Sequence, residues 1–182
     1  MRSDLSNSGY LSVVLLVVVL LCSSFTNSQG PDTNAKVKAI FLYNFSKHVE
    51  WPENMSNGRF KIGIYGKYPT LQAELEKMSK IKRRGERSFE IIRFDRVDKI
   101  VPTHILFIVK NHGNDLGRIS RQLKNSSTLL VTEEEGYIKK GAHINLYYEN
   151  NKQKMELNPS TIDDRGLKVS DQLVSISKVV NG

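Results

Sequence analysis

Residues 105–109 have the sequence Ile-Leu-Phe-Ile-Val, an unbroken apolar run that decides the fold class of this chain. A strand with one wet face alternates apolar and polar residues, whereas this run predicts a short strand that is covered on both faces. Leu129 to Val131 has the same character further along the chain. Strands of this kind are typical of parallel sheets that carry helices on both faces.

The segments before and between these two strands alternate between helix and strand patterns. Apolar residues at three- and four-residue spacing predict helices that start near Val37, Pro69 and Leu116. Residues 60–65 and 89–94 have the patterns of strands. This order favours an α/β fold, Rossmann-like, in which a mostly parallel sheet has helices on both of its faces.

The C-terminal third departs from this alternation. Two strand patterns, 144–148 and 154–157, flank a polar turn and predict a β-hairpin. Asn158 is the expected cap of a short helix, and a last helix from Ser170 is predicted to present its apolar residues to the core. These residues are Leu173, Ile176, Val179 and Val180. The fold is therefore expected to end in a hairpin and C-terminal helices.

The N-terminal segment differs in composition from the rest of the chain. Leu11 to Leu21 is an apolar block, and small and polar residues follow it, as at sites that signal peptidase cuts. As a helix the block would extend about 17 Å, short of the ~30 Å hydrocarbon core, so an export signal is favoured over an anchor. Lipoprotein processing at Cys22 is less favoured because a bulky leucine precedes it. We predict a signal peptide over residues 1–28 and one domain over residues 29–182.

The composition narrows the class of partner. Cys22 is the only cysteine, and its loss with the signal peptide would leave no thiol for disulfides or catalysis. The chain has 27 Lys and Arg against 19 Asp and Glu, and its net charge of +8 is unchanged when Arg2 and Asp4 are removed together. An exported domain seldom meets nucleic acid, so acidic proteins, anionic lipid headgroups or envelope polymers are the expected counterparts, and nucleic acid is not.

The densest group of positive charges lies between Lys77 and Arg87. Within it, Arg83, Arg84 and Arg87 could form a docking patch for an acidic partner. Trp51 could anchor that partner if its ring is exposed. The alternative is structural, with the cluster as a solvated helix end and Trp51 as a cap on the core. The sequence leaves both interpretations open, and these residues are the candidate partner-binding set.

The turn after residues 60–65 has the glycine and the lysine that an anion site needs. Backbone N–H groups at a strand-to-helix turn can hold an anion, and Gly66, Lys67 and Thr70 are the candidate residues. The phosphate-binding and dinucleotide-binding glycine motifs are both incomplete in this segment, so an ordinary turn is the alternative.

No catalytic constellation emerges from the sequence. The four histidines are far apart and fit no zinc motif, and no serine elbow or triad pattern is present. His104 and His143 come directly before buried strands, which favours hydrogen-bonded positions at the strand edge. The acidic run 133–135 is interpreted as solvated. We expect neither enzymatic activity nor a metal or other cofactor.

The order of several segments resembles the YfiR family of small exported bacterial proteins. Glu50-Trp51-Pro52 is similar to the Trp-Pro end of that family's opening helix, and Met155-Glu156-Leu157-Asn158 to the start of its closing block. The matching segments are, in order, 38–45, 50–52, 60–66, 104–108, 129–132, 155–158 and 166–170, with Leu173. The resemblance covers roughly residues 36 to 180.

The resemblance implies an α/β domain in the periplasm that has no enzymatic activity and regulates by protein contact. In the best-known case, that contact holds an inner-membrane diguanylate cyclase inactive through its periplasmic sensor region, and its loss raises cyclic-di-GMP. Histidine-kinase sensor domains are the other implied partners.

This chain departs from the best-known case in its cysteines, because some members carry one where this sequence has Thr103. A disulfide switch within the processed chain is therefore excluded. The sequence does not decide between a monomer and a homodimer. The alternative function is a small-ligand or anion-binding module at the Gly66 turn.

Overall fold

The structure is a computed structural model that describes residues 32–181. The predicted signal peptide, residues 1–28, lies outside the described residues. The helices are α1 (Thr33–His48), α2 (Pro69–Ile81), α3 (Leu116–Gln122), α4 (Pro159–Asp163) and α5 (Asp171–Ser175). The strands are β1 (Val49–Glu50), β2 (Phe60–Tyr65), β3 (Arg83–Arg84), β4 (Arg87–Phe94), β5 (Ile105–Ile108), β6 (Leu129–Thr132), β7 (Ile144–Glu149), β8 (Lys152–Leu157), β9 (Lys168–Val169) and β10 (Lys178–Val179).

Eight of the described strands form one sheet in the order β10-β8-β7-β6-β5-β2-β4-β3. Within it, β4, β2, β5, β6 and β7 run parallel to one another. The first of these along the chain, β2, lies between the second and the third, which is the doubly wound order. The mostly parallel α/β fold is thereby confirmed. All four residues of β5 are buried between β2 and β6, as the apolar run predicts.

Apolar clusters cover both faces of this sheet. On one face, α1 contributes Leu42 and α2 contributes Leu71 to the cluster that contains Phe107. On the other face, α3 contributes Ile119 to the cluster that contains Leu106. Neighbouring residues of a strand point to opposite faces, so β5 needs apolar residues at every position.

The hairpin of β7 and β8 has a two-residue turn. The strands pair antiparallel, with Glu149 opposite Lys152. Asn150 and Asn151 between them have φ angles of 50° and 58°. A two-residue type I′ turn needs positive φ at both central positions, and asparagine adopts it more readily than most other residues with a side chain. Elements α4, β9, α5 and β10 follow this hairpin.

The prediction of a long final helix is wrong. Helix α5 ends at Ser175, and Lys178–Val179 forms β10, which pairs in parallel with β8. Leu173 is buried, but Ile176 and Val179 are 67% and 44% exposed. The reason is that β8 offers an open sheet edge, where backbone hydrogen bonds to a β-branched segment outweigh its helical spacing.

Two short pairings have no counterpart in the sequence predictions. Strand β1 pairs with β9, with Val49 opposite Val169, and joins the end of α1 to the C-terminal segment. Strand β3 pairs with β4 at the edge of the main sheet, with Arg84 opposite Arg87. Strands of two residues are too short to produce a periodic pattern. Both pairings position candidate site residues.

Candidate functional site

The candidate residues lie at opposite ends of the parallel strands. Trp51, Arg84 and Arg87 group around the N-terminal ends of β2 and β5. The segment 66–70, which contains the candidate anion residues, follows the C-terminal end of β2. The two ends are therefore separate sites.

Phe60 is the centre of the first site. Its ring is fully buried, stacks on His104 at 4.3 Å between centroids, and meets Trp51 edge to face at 5.0 Å. The guanidinium carbons of Arg84 and Arg87 each lie 5.6 Å from the centroid of the same ring. We call these five residues the aromatic–arginine cluster. Both arginines are within the range at which a cation is attracted to an aromatic face.

Trp51 is fixed by one hydrogen bond and by ring packing. Its Nε1 donates to the carbonyl oxygen of His104 at 3.2 Å. The indole is half-buried and packs against the larger core cluster. Because the polar end of the ring is satisfied internally, only part of the ring is left for contact with another molecule.

Arg84 binds the carbonyl groups at the end of α1. Its Nε donates to the carbonyl oxygen of Ser46 at 2.6 Å, and its Nη2 lies 3.5 Å from the carbonyl oxygen of Val49. The last carbonyl groups of a helix have no partner within the helix and carry the negative end of its dipole. A cation at this position satisfies them, so Arg84 caps α1 from a strand far away in sequence.

Arg87 holds the loop that precedes β2. Its Nε donates to the carbonyl of Gly58 at 2.8 Å, and its Nη2 to those of Asn57 at 3.3 Å and Arg59 at 3.2 Å. Burial, and secondly the positive charge of Arg84, lower the pKa of the Arg87 guanidinium from its ordinary value. The three carbonyls offset the cost of burying this charge because they accept charge-assisted hydrogen bonds from it.

His104 is a neutral link between β2, β5 and the loop before β2. The residue is 4% exposed, and its Nδ1 accepts the backbone N–H of Lys61 at 2.9 Å. The ring proton is therefore on Nε2, which donates to the carbonyl of Met55 at 2.9 Å. Burial, together with the charges of Arg87 and Arg84, lowers the pKa of His104 to about 4. The expected hydrogen-bonded edge position is confirmed.

Arg83 lies outside the aromatic–arginine cluster. It is exposed, and its Nη1 donates to the carbonyls of Ser79 at 3.0 Å and Lys82 at 2.9 Å. Successive residues of a strand point to opposite sides, so Arg83 and Arg84 separate. The structure brings Trp51, Arg84 and Arg87 together and leaves Arg83 at the sheet edge.

The second site begins with Gly66, whose φ of 103° is unfavourable for a residue with a side chain. A Cβ there would lie 2.7 Å from Cδ2 of His112. The backbone N–H of Gly66 donates to the carbonyl of Phe94 at 3.0 Å. Lys67 and Thr70 are exposed beside it. Of the candidate anion residues, Lys67 is the one that contributes a positive charge.

A buried ion pair lies at the same end of the sheet. Lys38 Nζ is 2.7 Å from Oε2 of Glu133, and the two side chains are 8% and 9% exposed. The second oxygen of Glu133, Oε1, accepts the N–H of Lys110 at 2.9 Å, and Lys38 Nζ donates to the hydroxyl of Tyr68 at 3.4 Å. The interpretation of Glu133 as solvated is wrong.

The pKa of Lys38 follows from this environment. Burial lowers it, but the hydrogen bond and the charge of Glu133 act in the opposite direction and leave it raised. Lys38 therefore stays charged in the interior. Sequence reasoning missed this pair because its members are far apart along the chain and no local pattern marks either as buried.

The described residues contain no obvious centre for metal chemistry. Between residues 32 and 181, no group of three or more His, Cys, Asp or Glu side chains could hold an ion. In the same part of the chain, no helix has both the length and the apolar character needed to cross a bilayer. In the aromatic–arginine cluster, the arginines and His104 hydrogen-bond to backbone atoms.

The fold and these sites define a doubly wound α/β domain whose strand ends are closed by internal charged contacts. The family model DUF4154, described as YfiR/HmsC-like, matches residues 35–178. The chain belongs to the YfiR/HmsC-like family, and the resemblance found in the sequence is confirmed. No curated protein matches the chain significantly.

Two solved structures are similar to this chain. A conserved domain protein from Vibrio cholerae O1 biovar El Tor is 7% identical with a TM-score of 0.52, covering 79% of this chain and 60% of its own. The ABC domain in complex with L-Trp from Streptococcus pneumoniae is 8% identical with a TM-score of 0.49, covering 66% of this chain and 54% of its own. The chain thus spans less than two thirds of either. At such identity, the Vibrio likeness shows the fold alone.

Proposed function

We propose that this chain is a periplasmic regulatory protein, without enzymatic activity, that binds the sensor region of an inner-membrane signalling protein of the diguanylate cyclase type. The observation that carries the proposal is the family match over residues 35–178, which spans nearly all the secondary structure described. The predicted signal peptide supports the compartment. The sensor domain of a histidine kinase is the alternative partner.

Regulation of this kind requires unequal binding of two states. A protein that binds the inactive and active forms of a cyclase equally well does not change the proportion of the two forms, however tightly it binds. The chain must therefore bind one form more tightly, and loss of the contact would increase the population of the other form. Inhibition corresponds to preference for the inactive form.

The partner-binding residues in this proposal are Trp51, Arg84 and Arg87 at the N-terminal strand ends, and Arg83 on the neighbouring edge strand β3. Arg84 and Arg87 are committed to backbone carbonyls, so their part is to hold the edge in one shape. Arg83 presents an exposed guanidinium, and Trp51 contributes the open part of its ring. A guanidinium has five N–H donors, so Arg83 can bind a partner carboxylate in addition to its contacts with Ser79 and Lys82.

The test combines a deletion strain with capture from envelope membranes. We expect deletion to raise cyclic-di-GMP, and the tagged chain to enrich a membrane signalling protein. Arg83→Glu should reduce this enrichment several-fold, because it reverses a charge at an interface edge. Lys139→Glu makes the same change of charge at an exposed position in another segment and should leave the enrichment unchanged. Unchanged cyclic-di-GMP together with no enriched signalling protein would refute the proposal.

A second candidate function is the binding of a small anion at Gly66, Lys67 and Thr70. It is favoured by the location of this turn, because ligands of doubly wound sheets bind beyond the C-terminal strand ends where the strand order reverses. Inorganic phosphate at 100 times its dissociation constant would stabilise the chain by about 2.7 kcal/mol. Lys67→Ala should abolish that shift in thermal unfolding, and the absence of any shift in the unmodified chain would eliminate this function.

A further inference from the structure

A groove of about 310 Å³ lies between helices α1 and α2. Its apolar residues are Ala39 and Ile40 from α1 and Met78 and Ile81 from α2. Ile40 and Ile81 are 50% and 75% exposed, and no other large apolar side chain in residues 32–181 is as exposed as Ile81. Single exposed apolar residues are ordinary, but two that line one groove are typical of an interaction site.

Helical spacing brings these residues to the groove. Ile40 lies four residues after Lys36, and Ile81 lies four residues after Lys77 and three after Met78. Residues three or four apart share one face of a helix. Each helix therefore presents a lysine one turn before an exposed isoleucine.

The charges around the groove have one dominant sign. Lys36, Lys77 and Lys82 line it and are exposed, whereas Glu74 is the one carboxylate among its lining residues. This excess of positive charge attracts carboxylates and disfavours a cationic partner.

The positive rim continues along α1. Lys47 and Lys82 approach the same ring, that of Tyr43, with their Nζ atoms 5.0 Å and 5.7 Å from its centroid. These contacts hold two flexible lysines close to the groove and reduce the conformational entropy that they would lose on binding. A second carboxylate along the partner segment would meet this pair.

We propose that the α1–α2 groove binds an acidic amphipathic segment of a partner protein. One large apolar side chain of that segment enters between Ile40 and Ile81, and carboxylates beside it meet the lysines of the rim. A concave groove fits a protruding protein side chain, whereas a membrane presents a flat surface. The inference rests on the proposed function, because it takes the chain to act by binding protein, and it places a further contact surface directly before Arg83 in sequence.

The experiment selects random twelve-residue peptides, displayed on phage, against the folded chain without its signal segment. A double variant, Lys77→Glu with Ile81→Glu, reverses the net charge of the groove lining and replaces its most exposed apolar residue. The matched control is Lys124→Glu with Val101→Glu, which changes the charge equally at two exposed positions in other segments. Selected peptides should contain a large apolar residue flanked by carboxylates. They should bind the groove variant at least tenfold more weakly than the chain and the control variant.

Three outcomes would overturn this inference. Peptides that bind the groove variant and the control variant equally would show that the groove is not the site. Selected peptides without carboxylates would refute the acidic partner. Binding to vesicles of phosphatidylglycerol that depends on Lys77 and Ile81, with no groove-dependent peptide, would assign the groove to a lipid surface. None of these results depends on cyclic-di-GMP, so failure here is distinguishable from failure of the proposed regulatory function.

Discussion

The two ends of the parallel sheet bind backbone groups with charges of opposite sign. At the N-terminal end, Arg84 and Arg87 donate to carbonyl oxygens at the end of α1 and in the loop before β2. At the C-terminal end, Glu133 and Glu134 accept the N–H groups of the segment after β5. One end is closed by cations and the other by carboxylates.

The direction of the chain explains this difference. Helix α1 ends near the start of β2, so its free carbonyls collect at the N-terminal end of the strands and favour a positive group. The segment after β5 has backbone N–H groups without ladder partners, and these favour a negative group. The sign of the charge that binds free backbone groups therefore differs between the two strand ends, and the density of charge in the sequence does not reveal which charged residues do so.

The largest effect is expected from breaking the buried ion pair at the C-terminal end. Lys38→Met leaves Glu133, which is 9% exposed, without its buried partner, so the free energy of unfolding should fall by about 4 kcal/mol in urea denaturation. The double variant Lys38→Met with Glu133→Gln should lose less than the sum of the two single variants, because no buried charge is left without a partner.

The exposed pair of Lys178 and Glu156 is the control for this prediction. The side chain of Lys178 is 63% exposed, so Lys178→Met should cost less than about 1 kcal/mol. Equal losses from Lys38→Met and Lys178→Met would contradict the importance of burial, and with it the contrast between the two ends.

The next effect concerns pH at the N-terminal end. The pKa of His104 is about 4 in the folded chain against 6.5 for an ordinary histidine, so the unfolded chain binds this proton more readily. The contribution of His104 to stability is complete above pH 6.5 and is lost as the pH falls towards 4. This loss corresponds to about 3 kcal/mol in the free energy of unfolding.

Urea denaturation at a series of pH values measures this dependence, and NMR titration assigns it. The His104 ring signals should not titrate near pH 6.5. His143, whose pKa burial lowers to about 3, contributes in the same direction, so His104→Asn should remove only part of the slope. A His104 signal that titrates like a free histidine would contradict the closed cluster.

The smallest effects separate the three arginines. Arg84→Ala and Arg87→Ala each remove charge-assisted hydrogen bonds to carbonyls at the cluster and should cost about 2 kcal/mol. Arg83→Ala, at an exposed position, should change stability by less than about 0.5 kcal/mol. Thermal or chemical unfolding of the three variants checks this order. If Arg83→Ala destabilised as much as Arg84→Ala, the division between structural and exposed arginines would fail.

The elements that are defined by apolar patterns follow from the sequence. The run Ile105–Ile108 predicts a strand buried on both faces, and the alternation around it predicts the parallel sheet. The last helix fails because Lys178–Val179 finds a free edge on β8, which no local pattern reveals. The aromatic–arginine cluster is predicted only in part: Trp51 and the arginines stand out by residue type, but their meeting around Phe60 does not.

The sequence by itself determined the fold class and the family, because apolar periodicity and the order of segments are properties of the chain alone. Only the tertiary structure decided which charged residues are engaged: Arg84 and Ser46 are 38 residues apart, and Trp51 lies 53 residues from the carbonyl that it binds. The physical reason is the difference in sequence separation between local patterns and tertiary contacts. The hydrophobic pattern of a helix or strand repeats over a few residues, whereas the partner of a buried charge is whatever the folded chain brings within hydrogen-bonding distance.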